Sequence, residues 1–287
     1  MSAGAVIRAR ILGCGSSGGV PRADGDWGAC NPRNARNRRL RCSLLVERAE
    51  SLDALEAGQA TRVLVDTSPD LRQQLIAAGG PMLDAIVYTH AHADQSHGID
   101  DVRAIVYRKG EKLPAYMNAP TRADLTHRFA YIFQTPPGSG YPPLLEARDL
   151  PERGTFTIEG AGGTLQVTSF PVAHGRIVCA GLRFGPLAYT PDVSAIEDDV
   201  LSGLDQIPVW ILDALREKPH PTHAHVGQAL DWLARARAGL GILTNLHVDL
   251  DYAALLQRCP ERVRPAYDGL TLTLEETSGR VLDIGRR

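Results

Sequence analysis

The chain is predicted to be an α/β protein in which two sheets pack face to face with helices outside, a four-layer αββα sandwich. Three observations predict it. Short apolar runs recur along the length, and several are separated by stretches with helical periodicity. Several runs end in a residue able to do chemistry: Asp66, His90, His174, Asp192 and His247. No internal repeat or low-complexity linker divides the 287 residues, so residues 1–287 are expected to form one domain with inserted loops.

The first strand is predicted over 5–12, running into the loop Gly13-Cys14-Gly15-Ser16-Ser17-Gly18-Gly19. A polar, arginine-rich loop reaches Arg41, then strands follow at 43–47 and 62–65, the latter ending at Asp66. A helix is predicted over 70–78, with Ser68 as a candidate cap and Gly79-Gly80 as its stop. The apolar run 85–88 precedes His90, and a helix beginning near Gly98 puts Ile99, Val102, Ile105 and Val106 on one face. Residues 110–152 break this rhythm with Pro114, Pro136, Pro137, Pro142, Pro143 and Pro151 among Tyr116, Phe129, Tyr131, Phe133 and Tyr141. This segment is expected to be an insertion, read equally as a lid or side-wall over a site and as an excursion packed on the core. Strands resume at 164–170, 177–184, 187–189, 209–212 and 241–243, and a helix over 226–236 carries Val226, Ala229, Leu230 and Leu233 on one stripe.

A hydrophobic fraction of 44% and a charged fraction of 22% suit a soluble globular chain, and a net charge of −2 gives no global pull toward nucleic acid or anionic membrane. The cysteines, Cys14, Cys30, Cys42, Cys179 and Cys259, are odd in number and form no Cys-x-x-Cys pair, so neither a disulfide framework nor a thiolate zinc knuckle is indicated. The first residues lack a signal peptide's apolar stretch, and no run approaches the roughly 18 apolar residues of a membrane span. A cytoplasmic protein without membrane attachment is the expectation.

The densest chemistry lies in Thr89-His90-Ala91-His92-Ala93-Asp94-Gln95-Ser96-His97-Gly98. His90 and His92 are two apart, so an extended backbone points both rings to one side. Neutral imidazoles and a carboxylate suit Zn²⁺, Mn²⁺ or Fe²⁺. Further ligands would come from His174, Asp192 and His247, each just past an apolar run, with Asp66 ending another. Loops at one rim of a sheet are where a scaffold places such groups.

In this order of residues the chain resembles the metallo-β-lactamase fold superfamily. Within it, the opening Leu12-Gly13-Cys14-Gly15-Ser16-Ser17-Gly18-Gly19-Val20-Pro21 and Arg41-Cys42-Ser43 are similar to the group containing phosphoribosyl 1,2-cyclic phosphate phosphodiesterase. The resemblance implies two divalent transition metals, zinc or manganese: His90, His92 and His174 on the first, Asp94 and His247 on the second, Asp192 bridging. It also implies that Asp66 accepts a proton from a ligand imidazole and fixes its orientation. The family pattern is His-x-His-x-Asp-His, and here its last position is Gln95. An amide oxygen is a weaker zinc ligand than imidazole, so the second site should be weakened selectively. His97 does not substitute, because two residues along a helix turn the side chain by roughly 200°. A site favouring Mn²⁺, a one-metal protein and an inactivated one all stay open.

A second histidine cluster, Pro219-His220-Pro221-Thr222-His223-Ala224-His225, opens the helix at 226. The resemblance implies that His223 reaches the substrate phosphate and protonates the leaving oxygen, a role suited to a group titrating near neutrality. Arg33, Arg36, Arg38, Arg39 and Arg41 are either phosphate contacts or a solvated face. The glycine-rich loop is no P-loop, since no Gly-Lys-Ser/Thr follows; it reads as a tight turn passing close to the metals.

The expected function is a metal-dependent hydrolase, a phosphodiesterase for cyclic phosphates or small nucleotide-like diesters, attacking through a metal-bound hydroxide near Asp94 with His223 as proton donor. One alternative is an acyl hydrolase of thioesters or lactones. Another is a one-metal binding protein without turnover, the consequence of Gln95. The expected partner is a small phosphate ester; a homodimer is left open, and long nucleic acid is not expected from so modest a charge.

Overall fold

Strand and helix alternate as anticipated, and the computed structural model describes residues 4–285. The first three residues, where a leader was sought, and the last two, with them the ends of the expected 1–287 span, lie outside the described residues. In chain order the strands are β1 (Val6–Gly13), β2 (Ser43–Ala49), β3 (Thr61–Val65), β4 (Ala85–Val87), β5 (Leu113–Met117), β6 (Leu145–Asp149), β7 (Gly154–Ile158), β8 (Leu165–His174), β9 (Ile177–Phe184), β10 (Leu187–Thr190), β11 (Val209–Asp213), β12 (Leu240–Thr244), β13 (Val263–Pro265), β14 (Thr271–Glu275) and β15 (Val281–Ile284). Among the described residues they form two sheets, ordered β15-β14-β1-β2-β3-β4-β5-β6 and β13-β12-β11-β10-β9-β8-β7.

Each sheet has an antiparallel half and a parallel half. β3 to β6 run parallel in the first, and β10 to β13 in the second. Parallel neighbours need crossover connections, and helices on the outer faces supply most of them. Side-chain alternation then sorts each strand between layers. Val209 and Ile211 of β11 face the first sheet's Ile7, Ala9, Ile11, Val63 and Val65, forming the inter-sheet core. Trp210 and Leu212 face outward onto the Val226–Arg235 helix through Val226, Ala229 and Leu233. Leu45, Leu64 and Ile86 pack outward against Leu71, Val102 and Val106. The result is helix, sheet, sheet, helix, the αββα sandwich that the resemblance implied.

Three local expectations change. Residues 110–152 carry β5 and β6 with the Ala119–Arg128 and Ala130–Phe133 helices between, so the stretch builds one edge of the first sheet. Pro114 lies inside β5 itself, opposite Glu146. The helix anticipated from Gly98 begins earlier, as the short turn Ala93–Ser96, which places Asp94 and Gln95 on a helix. It is interrupted at Gly98, where a Cβ would stand 2.0 Å from the Ser68 carbonyl oxygen, and resumes as Ile99–Val102 and Arg103–Lys109. Finally, β13, β14 and β15 close the sheets with strands not anticipated.

The architecture positions the site. Asp66 follows β3, His90 follows β4, Asp192 follows β10, Asp213 ends β11 and Asn245 follows β12. All lie at the carboxyl ends of parallel strands, the edge at which open α/β sheets bind ligands.

Candidate metal centre

The chain leaves β3 through Asp66 with φ of 62°, a left-handed conformation that turns its carboxylate into the protein. Asp66 is fully buried, and both oxygens accept from Thr89: one from the backbone N–H and one from the hydroxyl, each at 2.8 Å. Burial pushes its pKa up to about 8, against the lowering effect of those two bonds. The Thr89 hydroxyl also lies 3.0 Å from His90 Nδ1. Since its proton is given to Asp66, its lone pair accepts the His90 Nδ1–H, leaving His90 Nε2 unprotonated. Asp66 therefore orients the imidazole through Thr89, rather than by the direct bond expected.

His92 Nδ1 is 3.0 Å from His90 Nε2 and 3.2 Å from His174 Nε2. His174, at the end of β8, gives its Nδ1 proton to the Thr222 carbonyl at 2.6 Å. Both buried rings thus commit one nitrogen to an oxygen acceptor and present the other nitrogen's lone pair to His92. A tetrahedral zinc with bonds of about 2.05 Å sets its nitrogens roughly 3.3 Å apart, so the three atoms fit one face of such a centre. Burial, reinforced by neighbouring imidazoles, pushes the His90 pKa well down and that of His174 to about 4, keeping both in the ligating form.

Asp192 lies beside this triad, 2% exposed. Its Oδ2 accepts from Gln95 Nε2 at 3.1 Å, and its Oδ1 is 3.5 Å from His223 Nδ1. Burial and the charges of Asp94, Asp213 and Asp66 push its pKa well up. His174, Asp192 and His223 form a second set whose ligand atoms lie within 4.8 Å of one another. His223 Nδ1 donates to the fully buried Asp213 at 2.9 Å, and Asn245 Nδ2 donates to the other oxygen of Asp213 at 3.1 Å.

The predicted residues are therefore unevenly gathered. His90, His92, His174, Asp192 and His223 converge. Asp94 is half-buried on the Ala93–Ser96 turn, near enough for its charge to act on Asp192 and Asp66. Gln95 is wholly buried, with its Oε1 unpartnered. His247 belongs to neither closed set, and its Nε2 meets Arg22 Nη2 at 2.6 Å. Asp249 lies 2.9 Å from His247 Nδ1 without making a hydrogen bond to it. Sequence reasoning missed Thr89, Asp213, Asn245 and Arg22. Asp213 carried a usable signal, because it ends an apolar strand just as Asp66 does.

A family model, the β-lactamase superfamily domain, matches residues 61–245. The chain belongs to the metallo-β-lactamase superfamily. Its likeness to superfamily structures extends beyond the matched span. A diphosphatase from the PhnP family is 33% identical, with a TM-score of 0.82 over 95% of this chain and 98% of that one. The metallo-β-lactamase fold protein YhfI from Bacillus subtilis, 18% identical, shares the fold with a TM-score of 0.67 over 93% and 99% of the two chains. An octanoyltransferase from Porphyromonas gingivalis (strain ATCC BAA-308 / W83) is 30% identical over 97% of this chain, which spans 54% of that protein's length.

Proposed function

We propose that this superfamily member is a metal-dependent hydrolase acting at phosphorus, on cyclic phosphates or small nucleotide-like diesters. The observation that carries the reading is the Asp213–His223 pair set against the His90/His92/His174 triad. His90, His92 and His174 would hold a cation, with Asp192 in reach; Asp94 and His247 border a second position. A divalent cation there supplies an activated water and neutralises phosphate charge.

The remaining work falls to the chain. Asp213 accepts the Nδ1 proton of His223 and fixes the ring, leaving Nε2 to face a leaving group. The ring centroid of His223 is 4.6 Å from that of His174, so the donor stands beside the ligand set. Burial that holds His90 and His174 neutral reserves them for ligation and leaves the proton-transfer role to His223. The 33% identical diphosphatase supports attack at phosphorus.

One observation favours an acyl substrate instead: the name octanoyltransferase, carried by a relative about half of which this chain spans. Turnover of bis(p-nitrophenyl) phosphate, p-nitrophenyl octanoate and an octanoyl thioester by the metal-loaded protein separates the readings. Phosphodiester turnover alone is expected. Acyl turnover alone would replace the proposal, and metal binding without turnover of any would favour a ligand-binding protein.

His223→Ala is expected to lower phosphodiester turnover by about 10²–10⁴-fold for alkoxide leaving groups and far less for p-nitrophenolate, which departs without a proton. Equal losses for both leaving groups would remove the proton-donor role.

A further inference from the structure

The two halves of the expected two-cation centre are unlike. The first-position nitrogens converge at ligand spacing, whereas two of the second-position side chains, His247 and Gln95, are spent on protein partners. His247 Nε2 is 2.6 Å from Arg22 Nη2. A guanidinium is always protonated, so it donates, and the imidazole lone pair that a second cation would need is occupied. Gln95 stands where the family pattern has a ligating histidine, and its Nε2 donates to Asp192 Oδ2, the oxygen otherwise free to bridge. Among the described residues, neither set of potential ligand atoms that closes to within 4.8 Å includes Asp94 or His247.

Arg22 is held in place rather than drifting there. Its Nη1 pairs with Asp26 Oδ2 at 3.0 Å, and its backbone N–H and carbonyl bond to the Asp26 carbonyl and Gly25 N–H. The glycine-rich loop brings this turn over the site: Leu246 N–H donates to the Cys14 carbonyl, and Gly15 bridges Leu246, the residue before His247. Side chains at Gly13 and Gly15 would meet the 39–41 backbone at 3.0 Å or less, so only glycine lets the loop pass.

We infer that Arg22 supplies the centre's second positive charge, so that each chain holds one cation and one guanidinium in place of two cations. This rests on the reading of His90, His92 and His174 as metal ligands. The N–H groups of Arg22 not taken by Asp26 and His247 would donate to phosphate oxygens, and a guanidinium serving phosphoryl transfer is worth about 10³–10⁵ in rate. It selects a substrate carrying at least one anionic phosphoryl oxygen beside the scissile bond.

The test is metal content by elemental analysis, after incubation with excess Zn²⁺ or Mn²⁺ and gel filtration, without any substrate. The parent is expected to hold about one ion per chain, and the double variant Arg22→Ala/Gln95→His about two, because both changes return nitrogen lone pairs to the second position. Two ions in the parent, or one in the folded double variant, would overturn the inference. Should the buried Gln95→His change prevent folding, Arg22→Ala alone is titrated calorimetrically with Zn²⁺. A second, weaker binding event absent from the parent is expected, and its absence overturns the inference. No metal in any variant would instead sink the underlying assignment of the triad.

Discussion

Thr89 stands between a buried carboxylate and a candidate ligand imidazole, and its hydroxyl alone links them. Thr89→Val keeps the shape and removes the link, freeing His90 to adopt the other tautomer. Metal affinity is expected to fall about 10–100-fold with little change in fold, measured by competition with a chromophoric chelator. An unchanged affinity would mean that His90 is oriented by packing alone. At this scale the sequence was partly legible. His90, His92, His174 and Asp192 could be read because density and strand-end position are one-dimensional properties. The Thr89 relay was hidden, because a threonine before a histidine carries no signature of its bonds. Arg22 was hidden by distance, since 225 positions separate it from His247.

Among the elements, the crossing of β1 into the glycine-rich loop is tightly constrained. A Cβ on Gly13 would stand 2.1 Å from the Arg41 carbonyl oxygen and 2.6 Å from the Gln74 amide nitrogen. The side chain could move; the backbone oxygen could not without disturbing the pairing of β1 with β2. Gly13→Ala is expected to cost about 1–3 kcal/mol in urea unfolding, the range for overpacking. A cost near zero would show that this crossing is looser than its geometry. Element-level reading succeeded where apolar runs were unbroken, as in β11 and β12. It failed at β5, where Pro114 mimics a loop signal although the strand continues around it. At β14 the alternation Leu270, Leu272 and Leu274 was a period-2 signal passed over, whereas β15, with only a half-buried face, offered little pattern.

Across the whole molecule, Asp268 ties the glycine-rich loop to the arginine-rich one. Its carboxylate accepts from Cys14 N–H at 3.1 Å and Leu40 N–H at 2.7 Å. Burial pushes its pKa up to about 7, with those bonds acting in the opposite direction. The folded chain therefore binds more protons at this position than the unfolded chain, whose carboxyl titrates near 3.9. The contribution is fully present below that pH and is lost as pH rises through about 7. Asp268→Asn should flatten the fall of Tm between about pH 4 and 7 relative to the parent, while lowering Tm overall because the amide nitrogen cannot accept. Parallel pH profiles of the two proteins would refute this assignment. Four-layer architecture was the most legible feature of all, because burial on both faces of the central strands makes them unbroken apolar runs, set apart by stretches of helical periodicity.

The proposed ligands descend from both halves of the sandwich: His90 and His92 from beyond β4, His174 from the tip of β8. An ion gripped by all three is thus a rivet through the seam, and loading it resists the splaying of the layers as much as it prepares chemistry. At a free concentration about 100 times its Kd, such a rivet adds about 2.7 kcal/mol to the folded state. Stripping it with a chelator should lower the melting temperature and loosen the seam first, seen as faster hydrogen exchange at the ends of β4 and β8 than along β1 and β14.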